Sequence, residues 1–183
     1  MEAFKPEIVL TVADSLISFT DGIKRVSKSV DRTCSMLEIC IKRYQNSPQL
    51  QNTALVGVIV GSDRKEQRER CLNRIIAHKD TLRGVALSGL TAGGPKTHKI
   101  TVDLMEPVFK ETCSSLPPEL FRILEGCWNP VVTLAAVAYG FDIFDGSYPA
   151  KLTNIGHALT LHFTCVTENN TDDLCILNLN DTR

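Results

Sequence analysis

Short apolar runs alternate with longer amphipathic stretches along this sequence, and that alternation limits the possible folds more than any other feature. The runs begin near residues 7, 54, 84, 121 and 141. Between them, apolar residues recur at steps of three and four over 21–44, 64–78 and 101–113, which predicts helices with one buried face. Asn129 and Pro130 open a further short helix, as N-cap and first helical residue. Because strands joined by crossover helices pair in parallel, we predict an α/β fold.

The number of these strand–helix units leaves two architectures open. Five units make either a complete small doubly wound sheet or part of a (β/α)8 barrel. A whole barrel needs about 250 residues, and this chain has 183. Beyond Gly156 the pattern changes, and 158–164 and 174–179 are predicted to pair as an antiparallel hairpin. No repeat or low-complexity linker interrupts the sequence, so we expect a single domain over 1–183.

Charge and cysteine content exclude several classes of protein. Twenty Lys and Arg against 21 Asp and Glu give a net charge of −1, which excludes a broadly basic nucleic-acid coat. The basic residues within 64–74 are expected to form a solvated helix face, with contact to RNA phosphates as the alternative. The seven cysteines include no Cys-x-x-Cys pair and the four histidines lack metal-ligand spacing, so we expect reduced thiols and no metal site. No apolar run is long enough to span a bilayer and no secretory signal opens the chain, which predicts an intracellular protein without an integral membrane segment.

Candidate chemistry lies at the carboxyl ends of the predicted strands, where parallel α/β folds bind their ligands. Asp14 follows the first strand and Asp145 the fifth, while Gly89 and Gly126 follow the third and the fourth. Glycine permits close backbone approach to a flat ligand, and a carboxylate can act as a nucleophile or recognise ring N–H groups. Asp and Gly are also common turn residues, so turn chemistry is the more common explanation of each position when it is taken alone.

The glycine-rich segment 89–97 leaves a second kind of site open. Gly89, Gly94 and Lys96 nearly match a phosphate-binding loop, which would make the chain a small phosphate-binding α/β enzyme. However, Pro95 stands before the lysine and removes one of the backbone N–H donors on which such a loop relies. A phosphate site is therefore the less favoured interpretation of this segment.

Five sequence motifs occur in an order and at intervals that are typical of one enzyme family. They are Lys28–Thr33, Gly57–Gly61, Val85–Leu90, Ile123–Gly126 and Gly140–Pro149. Together they resemble the tRNA-guanine transglycosylases over 9–180, nearly the whole chain. The resemblance implies a (β/α)8 TIM-type barrel, of which this chain supplies roughly the latter five strand–helix units and the C-terminal hairpin as a single truncated barrel domain. Members of this family exchange guanine at the wobble position of certain tRNAs for queuine or a precursor.

The resemblance also implies roles for individual residues. The implied site positions are Asp145, Asp14, Ser88, Gly89, Leu90, Gly126 and Lys151. Asp145 aligns with the carboxylate that attacks the ribose anomeric carbon, and Asp14 with the one that recognises the base. The backbone of 88–90 aligns with the segment that lies against the heterocycle, and Gly126 opens a further turn of the substrate site. Lys151 replaces an arginine that helps to hold tRNA, and a lysine loses the bidentate contact that arginine makes.

Several departures from the family pattern point away from catalysis. The glutamine that reads the base is Val60 here, which cannot hydrogen-bond a purine, and Trp128 is expected to crowd the base pocket. The family's second catalytic carboxylate would precede Met1, and its zinc ligands, three cysteines and a histidine, would follow Arg183. A site without its base-reading groups discriminates poorly, and a retained Asp145 cannot compensate because a nucleophile needs an oriented substrate.

The departures favour a non-catalytic accessory subunit that supports queuosine formation as the heterodimeric partner of a catalytic subunit and that contacts tRNA. A catalytically competent transglycosylase with Asp145 as nucleophile is the main alternative. Zinc belongs to the intact family, and its ligands are expected to be absent from this chain. The resemblance further implies a cytoplasmic location, with peripheral placement at the mitochondrial outer membrane. A barrel that lacks strands exposes sheet edges, so we expect a fragment or short isoform of low solubility.

Overall fold

The computed structural model describes residues 2–91, 100–160 and 176–181. The strands of these residues are β1 (Ile8–Leu10), β2 (Ala54–Ile59), β3 (Gly84–Leu87), β4 (Phe121–Leu124), β5 (Ile143–Phe144), β6 (His157–Leu159) and β7 (Ile176–Asn178). The α-helices are α1 (Ile23–Gln45), α2 (Lys65–Ile76), α3 (Val102–Ser114), α4 (Pro130–Ala138) and α5 (Ser147–Asn154). The chain divides into two compact units, Met1–Asp145 with β1–β5 and α1–α4, and Gly146–Arg183 with α5, β6 and β7. The single domain expected over 1–183 stays a prediction.

The first unit is built on a five-stranded parallel sheet whose strands lie in the order β1-β2-β3-β4-β5. Helices that follow one another in sequence also contact one another, α1 with α2, α2 with α3 and α3 with α4. A doubly wound sheet reverses its strand order and divides its helices between two faces, so the observed arrangement excludes that alternative. The curled sheet with its row of helices is part of a (β/α)8-type barrel, which confirms the predicted fold class.

The inner strand β2, between β1 and β3, is buried on both faces, as its continuous apolar sequence predicted. A Cβ on Gly57 would lie 3.0 Å from Leu82 Cδ1 and 3.3 Å from Ile75 Cγ1, so this side of β2 packs against α2 and the turn that follows it. Because side chains alternate along a strand, Val58 and Val60 point to the opposite side, the interior of the curled sheet. The carboxyl end of β2 therefore presents valine where a ligand site would lie.

The helices follow the sequence pattern closely. Val26, Val30 and Ile41 of α1 are buried, which matches the predicted stripe at steps of three and four residues. The predicted cap of α4 is also present, because the Asn129 side chain accepts a hydrogen bond of 2.9 Å from the backbone N–H of Val132. Capping and an apolar stripe thus fix the bounds of these helices to within a few residues of the prediction.

The strands agree with the prediction at the centre of the sheet and differ at its edges. β3 and β4 occupy the predicted residues, whereas β1 is three residues long and β5 only two. β1 and β5 are the outer strands, each with one neighbour. An outer strand has a hydrogen-bonded ladder on one side only, which shortens the part of an apolar run that is recognised as a strand.

The second unit contains α5, the helix of the fifth predicted strand–helix unit, whose bounds the sequence pattern did not predict. α5 buries Tyr148 and Leu152, four residues apart, on one face. β6 and β7 pair antiparallel with Ala158 opposite Leu177, which confirms the predicted hairpin in its described part. The remainder of that hairpin, 161–175, lies outside the described residues.

Candidate functional site

The loops after the five parallel strands carry most of the predicted site residues. Asp14 lies in the loop after β1, 88–90 directly after β3, Gly126 after β4 and Asp145 directly after β5. Since the carboxyl ends of parallel strands meet at the same edge of a sheet, the topology brings these loops to one rim. Lys151 lies on α5, in the second unit. The catalytic and binding roles of these residues stay predictions.

Asp14 is held by two arginines of α1. Arg25 donates from Nη1 to Oδ2 at 2.8 Å and from Nη2 to Oδ1 at 2.7 Å, and Arg32 donates from Nη1 to Oδ2 at 3.1 Å. Only 15% of the Asp14 side chain is exposed. The hydrogen bond from Arg25 is the largest cause of an Asp14 pKa below the usual value, and Arg32 adds to it against the opposing effect of burial. Asp14 is therefore ionised at neutral pH, with both oxygens engaged inside the chain.

The same helix also fixes the backbone of Asp14. The Ser29 hydroxyl donates to the Asp14 carbonyl at 2.5 Å, and the Asp14 N–H donates to Thr33 Oγ1 at 3.0 Å. Residues 28–33 were recognised in the sequence as a motif, but their role in holding the backbone of Asp14 was not predicted. A signal was present, because Arg25, Ser29 and Arg32 are spaced by four and three residues and so share one face of a helix. Ser29 and Thr33 are polar residues at buried positions of this helix, and such residues indicate a partner to be hydrogen-bonded.

The space beside Gly89, where a Cβ would project, is occupied by a side chain of this same protein. Gly89 has a φ of +69°, and a Cβ there would lie 2.8 Å from Ile17 Cγ1 and 3.5 Å from the Ser15 carbonyl oxygen. Ile17 has no exposed surface, and Ser88 and Leu90 are buried as well. Glycine is needed at 89 because of the left-handed backbone and this contact. The close approach that the sequence predicted for a ligand is made here by an isoleucine of the loop after β1.

The indole of Trp128 covers Gly126 in a similar way. Gly126 has a φ of +121°, and a Cβ there would lie 3.1 Å from Trp128 Nε1. The indole N–H donates to the Glu125 carbonyl at 3.1 Å, and Trp128 is only 3% exposed. The hydrogen bond satisfies the polar end of the ring while its apolar body packs into the core. The loop after β4 is thus closed over by its own tryptophan.

The turn after β2 is fixed by a buried arginine. Val60 is fully buried, and Ser62 after it has a φ of +55°. Arg68 of α2 donates to the Ser62 carbonyl at 2.7 Å and pairs with Glu111 of α3. Burial is the main reason that the Arg68 pKa is lowered, while Glu111 acts in the opposite direction. The predicted solvated face of basic residues on α2 is therefore wrong for Arg68, whose side chain holds the turn and not solvent or RNA.

The described residues cover the predicted phosphate-binding loop only in part, and the family's zinc ligands are predicted to lie outside this chain. Most of the phosphate-binding alternative, 92–99, lies outside the described residues. Within the described ranges no group of three or more His, Cys, Asp or Glu side chains could hold a metal ion, so the residues present there do not fit the zinc site of the family. The absence of the zinc ligands from the chain stays a prediction. Within the same ranges, each helix is too short or too polar to span a bilayer.

Known proteins are similar to this chain over almost its whole length. The family model described as Queuine tRNA-ribosyltransferase matches residues 1–181. The chain belongs to the queuine tRNA-ribosyltransferase family. Proteins named Queuine tRNA-ribosyltransferase accessory subunit 2 are similar to it. The one from Aedes aegypti is 31% identical over 94% of this chain, the one from Ixodes scapularis 32% over 90%, and the one from Homo sapiens 32% over 88%.

The chain spans about two fifths of the length of these curated relatives of the queuine tRNA-ribosyltransferase family. The matched share is 41% of the Aedes aegypti protein, 41% of the Ixodes scapularis protein and 38% of the Homo sapiens protein. The five parallel strands of the described residues are likewise fewer than the eight of a complete barrel. These names therefore belong to proteins that are much longer than this chain.

Proposed function

We propose that this member of the queuine tRNA-ribosyltransferase family is a non-catalytic accessory subunit. It would support the exchange of guanine for queuine at the tRNA wobble position while a catalytic subunit carries out the chemistry. Two independent lines support the proposal. The relatives are named accessory subunit 2, and the loops that would contact a base are engaged with this chain's own side chains.

The carboxylate of Asp14 is the observation that carries the proposal. A carboxylate that recognises a purine must accept ring N–H groups, yet both Asp14 oxygens already accept hydrogen bonds from Arg25 and Arg32. Hydrogen bonds in which both partners are ionised are stronger than those to a neutral N–H. Three of the about four acceptor sites of a carboxylate are thus already used, so an incoming base could gain at most one hydrogen bond from Asp14 without displacing a stronger one, which favours a structural role for Asp14.

The glycines of the rim support the same conclusion. Ile17 packs against Gly89 and Trp128 against Gly126, in each case on the side where a Cβ would project. A flat base could approach those backbones from that side only after a buried side chain had moved out. Moving a large apolar side chain from the core into water costs about 1.5–3 kcal/mol. That cost would be subtracted from the affinity of any base, which argues against a substrate site built on these loops.

The retained Asp145 does not reverse this argument. It follows β5 directly, as a nucleophile at the carboxyl end of a barrel strand would. A nucleophile accelerates a reaction only when its substrate is held in the correct geometry. Val60, buried at the end of β2, offers no hydrogen bond with which to hold a purine. We therefore treat Asp145 as a vestigial residue of the reaction.

The proposal includes partners and a location. A catalytic subunit of the same family would be the heterodimeric partner, and tRNA would be shared between the two, with Lys151 as a tRNA contact in the second unit. The zinc of the intact family would be bound by residues outside this chain. A cytoplasmic location, with peripheral placement at the mitochondrial outer membrane, completes the proposal.

Exchange of labelled guanine into cognate tRNA tests the proposal. The assay is run on this chain alone, on a full-length catalytic subunit alone and on the mixture, with co-purification of the two as a parallel measurement. We expect no exchange by the chain alone and co-purification with the catalytic subunit. Exchange by the chain alone that Asp145→Asn abolishes, while Asp80→Asn in the exposed turn after α2 preserves it, would overturn the proposal and support the catalytic alternative.

A further inference from the structure

The first half of α1 carries an exposed row of basic side chains. Residues 23–32 contain four basic residues and one acidic residue, although the whole chain has a net charge of −1. Lys24, Lys28 and Arg32 follow one another at steps of four residues, so they share one face of the helix over about 12 Å of its axis. Lys24 and Lys28 are exposed, as is 54% of the Arg32 side chain. We call these three side chains the basic face of α1.

The basic face lies beside the rim at the carboxyl ends of the strands. Arg32 donates from Nη1 to Asp14 Oδ2 at 3.1 Å, and Asp14 lies in the loop after β1 that forms part of the rim. That loop leads directly into α1, which begins at Ile23, so the first turns of α1 are the part of the helix nearest the rim. A macromolecule that lies over the rim would therefore meet the basic face.

The carboxylates of this part of the chain already have partners of their own. They are Asp14 with Arg25 and Arg32, Asp21 with Ser18, and Asp31 with Arg70 of α2. Within the part of the chain that the structure describes, neither Lys24 nor Lys28 forms an ion pair. The described residues thus supply no counter-charge for these two ammonium groups, which project into solvent.

This arrangement of charge is unfavourable for α1 itself. Like charges four residues apart on a helix repel each other, as Lys24 and Lys28 do. The first turn of α1 also contains Lys24 and no acidic residue, although cations are disfavoured at that end of a helix. α2 has the usual arrangement, with Glu66 in its first turn and Arg74 in its last. Because the basic face does not serve the helix, it points to an anionic partner outside the chain.

We propose that the basic face of α1 binds the phosphate backbone of an RNA that lies over the rim. This inference rests on the proposed function, which makes tRNA the RNA in question. Lysine is a flexible point charge that binds phosphate oxygens without reading a base, which suits contacts that hold RNA in place. Lysine is depleted at protein–protein interfaces relative to the rest of the surface, so the acidic surface of a protein is the less favoured partner.

The salt dependence of tRNA binding tests the proposal. Fluorescence anisotropy of labelled tRNA gives the affinity between about 50 and 200 mM salt, for the complete 183-residue chain and for its mixture with a full-length catalytic subunit. The test variant Lys24→Gln/Lys28→Gln removes two charges from the basic face. The matched control Lys42→Gln/Lys79→Gln removes two exposed charges from the last turn of α1 and the turn after α2.

We expect the test variant to bind tRNA about tenfold more weakly than the parent at low salt. Its plot of log affinity against log salt concentration should be less steep by about 1.4–1.8, because two phosphate contacts are lost. The control should keep the affinity and the slope of the parent. In urea the test variant should unfold at the same or a higher midpoint than the parent, since a repulsion has been removed, so that weaker binding cannot be attributed to unfolding.

The proposal is overturned if the test variant and the control bind tRNA with the same affinity and slope, or if the parent binds no tRNA in either sample. A lower urea midpoint of the test variant would show that the two lysines serve the fold and would overturn it too. Loss of co-purification with the catalytic subunit at unchanged tRNA affinity would assign the basic face to a protein partner instead. A mixture that exchanges guanine while the test variant binds tRNA like the parent refutes the basic face alone and leaves the proposed function intact.

Discussion

Replacement of Asp14 by asparagine removes the charge that Arg25 and Arg32 bind, at almost unchanged size. The carboxylate accepts three charge-assisted hydrogen bonds, and an asparagine directs an NH2 group at a guanidinium that can only donate. Hydrogen bonds to charged groups contribute about 1.5–3 kcal/mol when buried, but Arg25 and Arg32 are partly exposed and solvent screens them. We therefore expect Asp14→Asn to lower the free energy of unfolding at pH 7 by about 2 kcal/mol in all.

The loss of stability in Asp14→Asn should depend on pH, because only the ionised carboxyl of Asp14 binds the two arginines. Folding lowers the Asp14 pKa, so its contribution is complete above the unfolded value of about 3.9 and disappears as the pH falls through the folded value. Urea unfolding of both proteins should show a difference at pH 7 that shrinks toward pH 3. Asp63→Asn is the control, since its exposed contact with Arg64 at 3.3 Å should contribute less than about 1 kcal/mol. An Asp14→Asn protein as stable as the parent at pH 7, or a difference independent of pH, would refute the structural role.

Three further substitutions test the contacts around the rim by urea unfolding at pH 7. Gly89→Ala adds a Cβ 2.8 Å from Ile17 at a φ of +69° and should lower the free energy of unfolding by about 2–3 kcal/mol. Gly22→Ala, with open space around it, should lower it by less than about 1 kcal/mol. Equal losses in the two variants would contradict the packing of Ile17 against Gly89. Asn129→Ala removes the α4 cap and should cost about 1 kcal/mol, which Asn129→Ser should largely restore. Arg68→Met leaves a carbonyl and a carboxylate without their donor and should cost about 2–3 kcal/mol; a neutral result would mean that this guanidinium is solvated after all.

Much of the fold follows from local sequence. The runs that became β3 and β4 are short and apolar at their carboxyl ends, and polar residues, Ser88 and Glu125, follow them, so both their type and their ends could be predicted. Asn129 with Pro130 marks a helix start by a mechanism that needs no partner. The choice between a barrel and a doubly wound sheet depended on which strands pair, and no local pattern carries that information. The observed strand order decided it.

The contacts of the rim were harder to predict because they join distant residues. Asp14 and Arg25 are eleven residues apart in loop and helix, and the sequence alone does not show that their side chains meet. Ile17 follows another apolar residue, Leu16, and no local pattern shows that Leu16 is exposed while Ile17 is fully buried against Gly89. Sequence reasoning placed Asp14 and Gly89 on the rim and expected a ligand between them. It could not show that the chain supplies its own side chains there.

Fluorescence of Trp128 tests the central claim most directly, because it is the only tryptophan in the sequence. The account requires its indole to be buried against Gly126. It therefore predicts a blue-shifted emission that acrylamide quenches weakly and that neither guanine nor queuine changes. A red-shifted, readily quenched emission, or a saturable change on addition of either base, would mean that the loop after β4 is an open base site and would contradict the account.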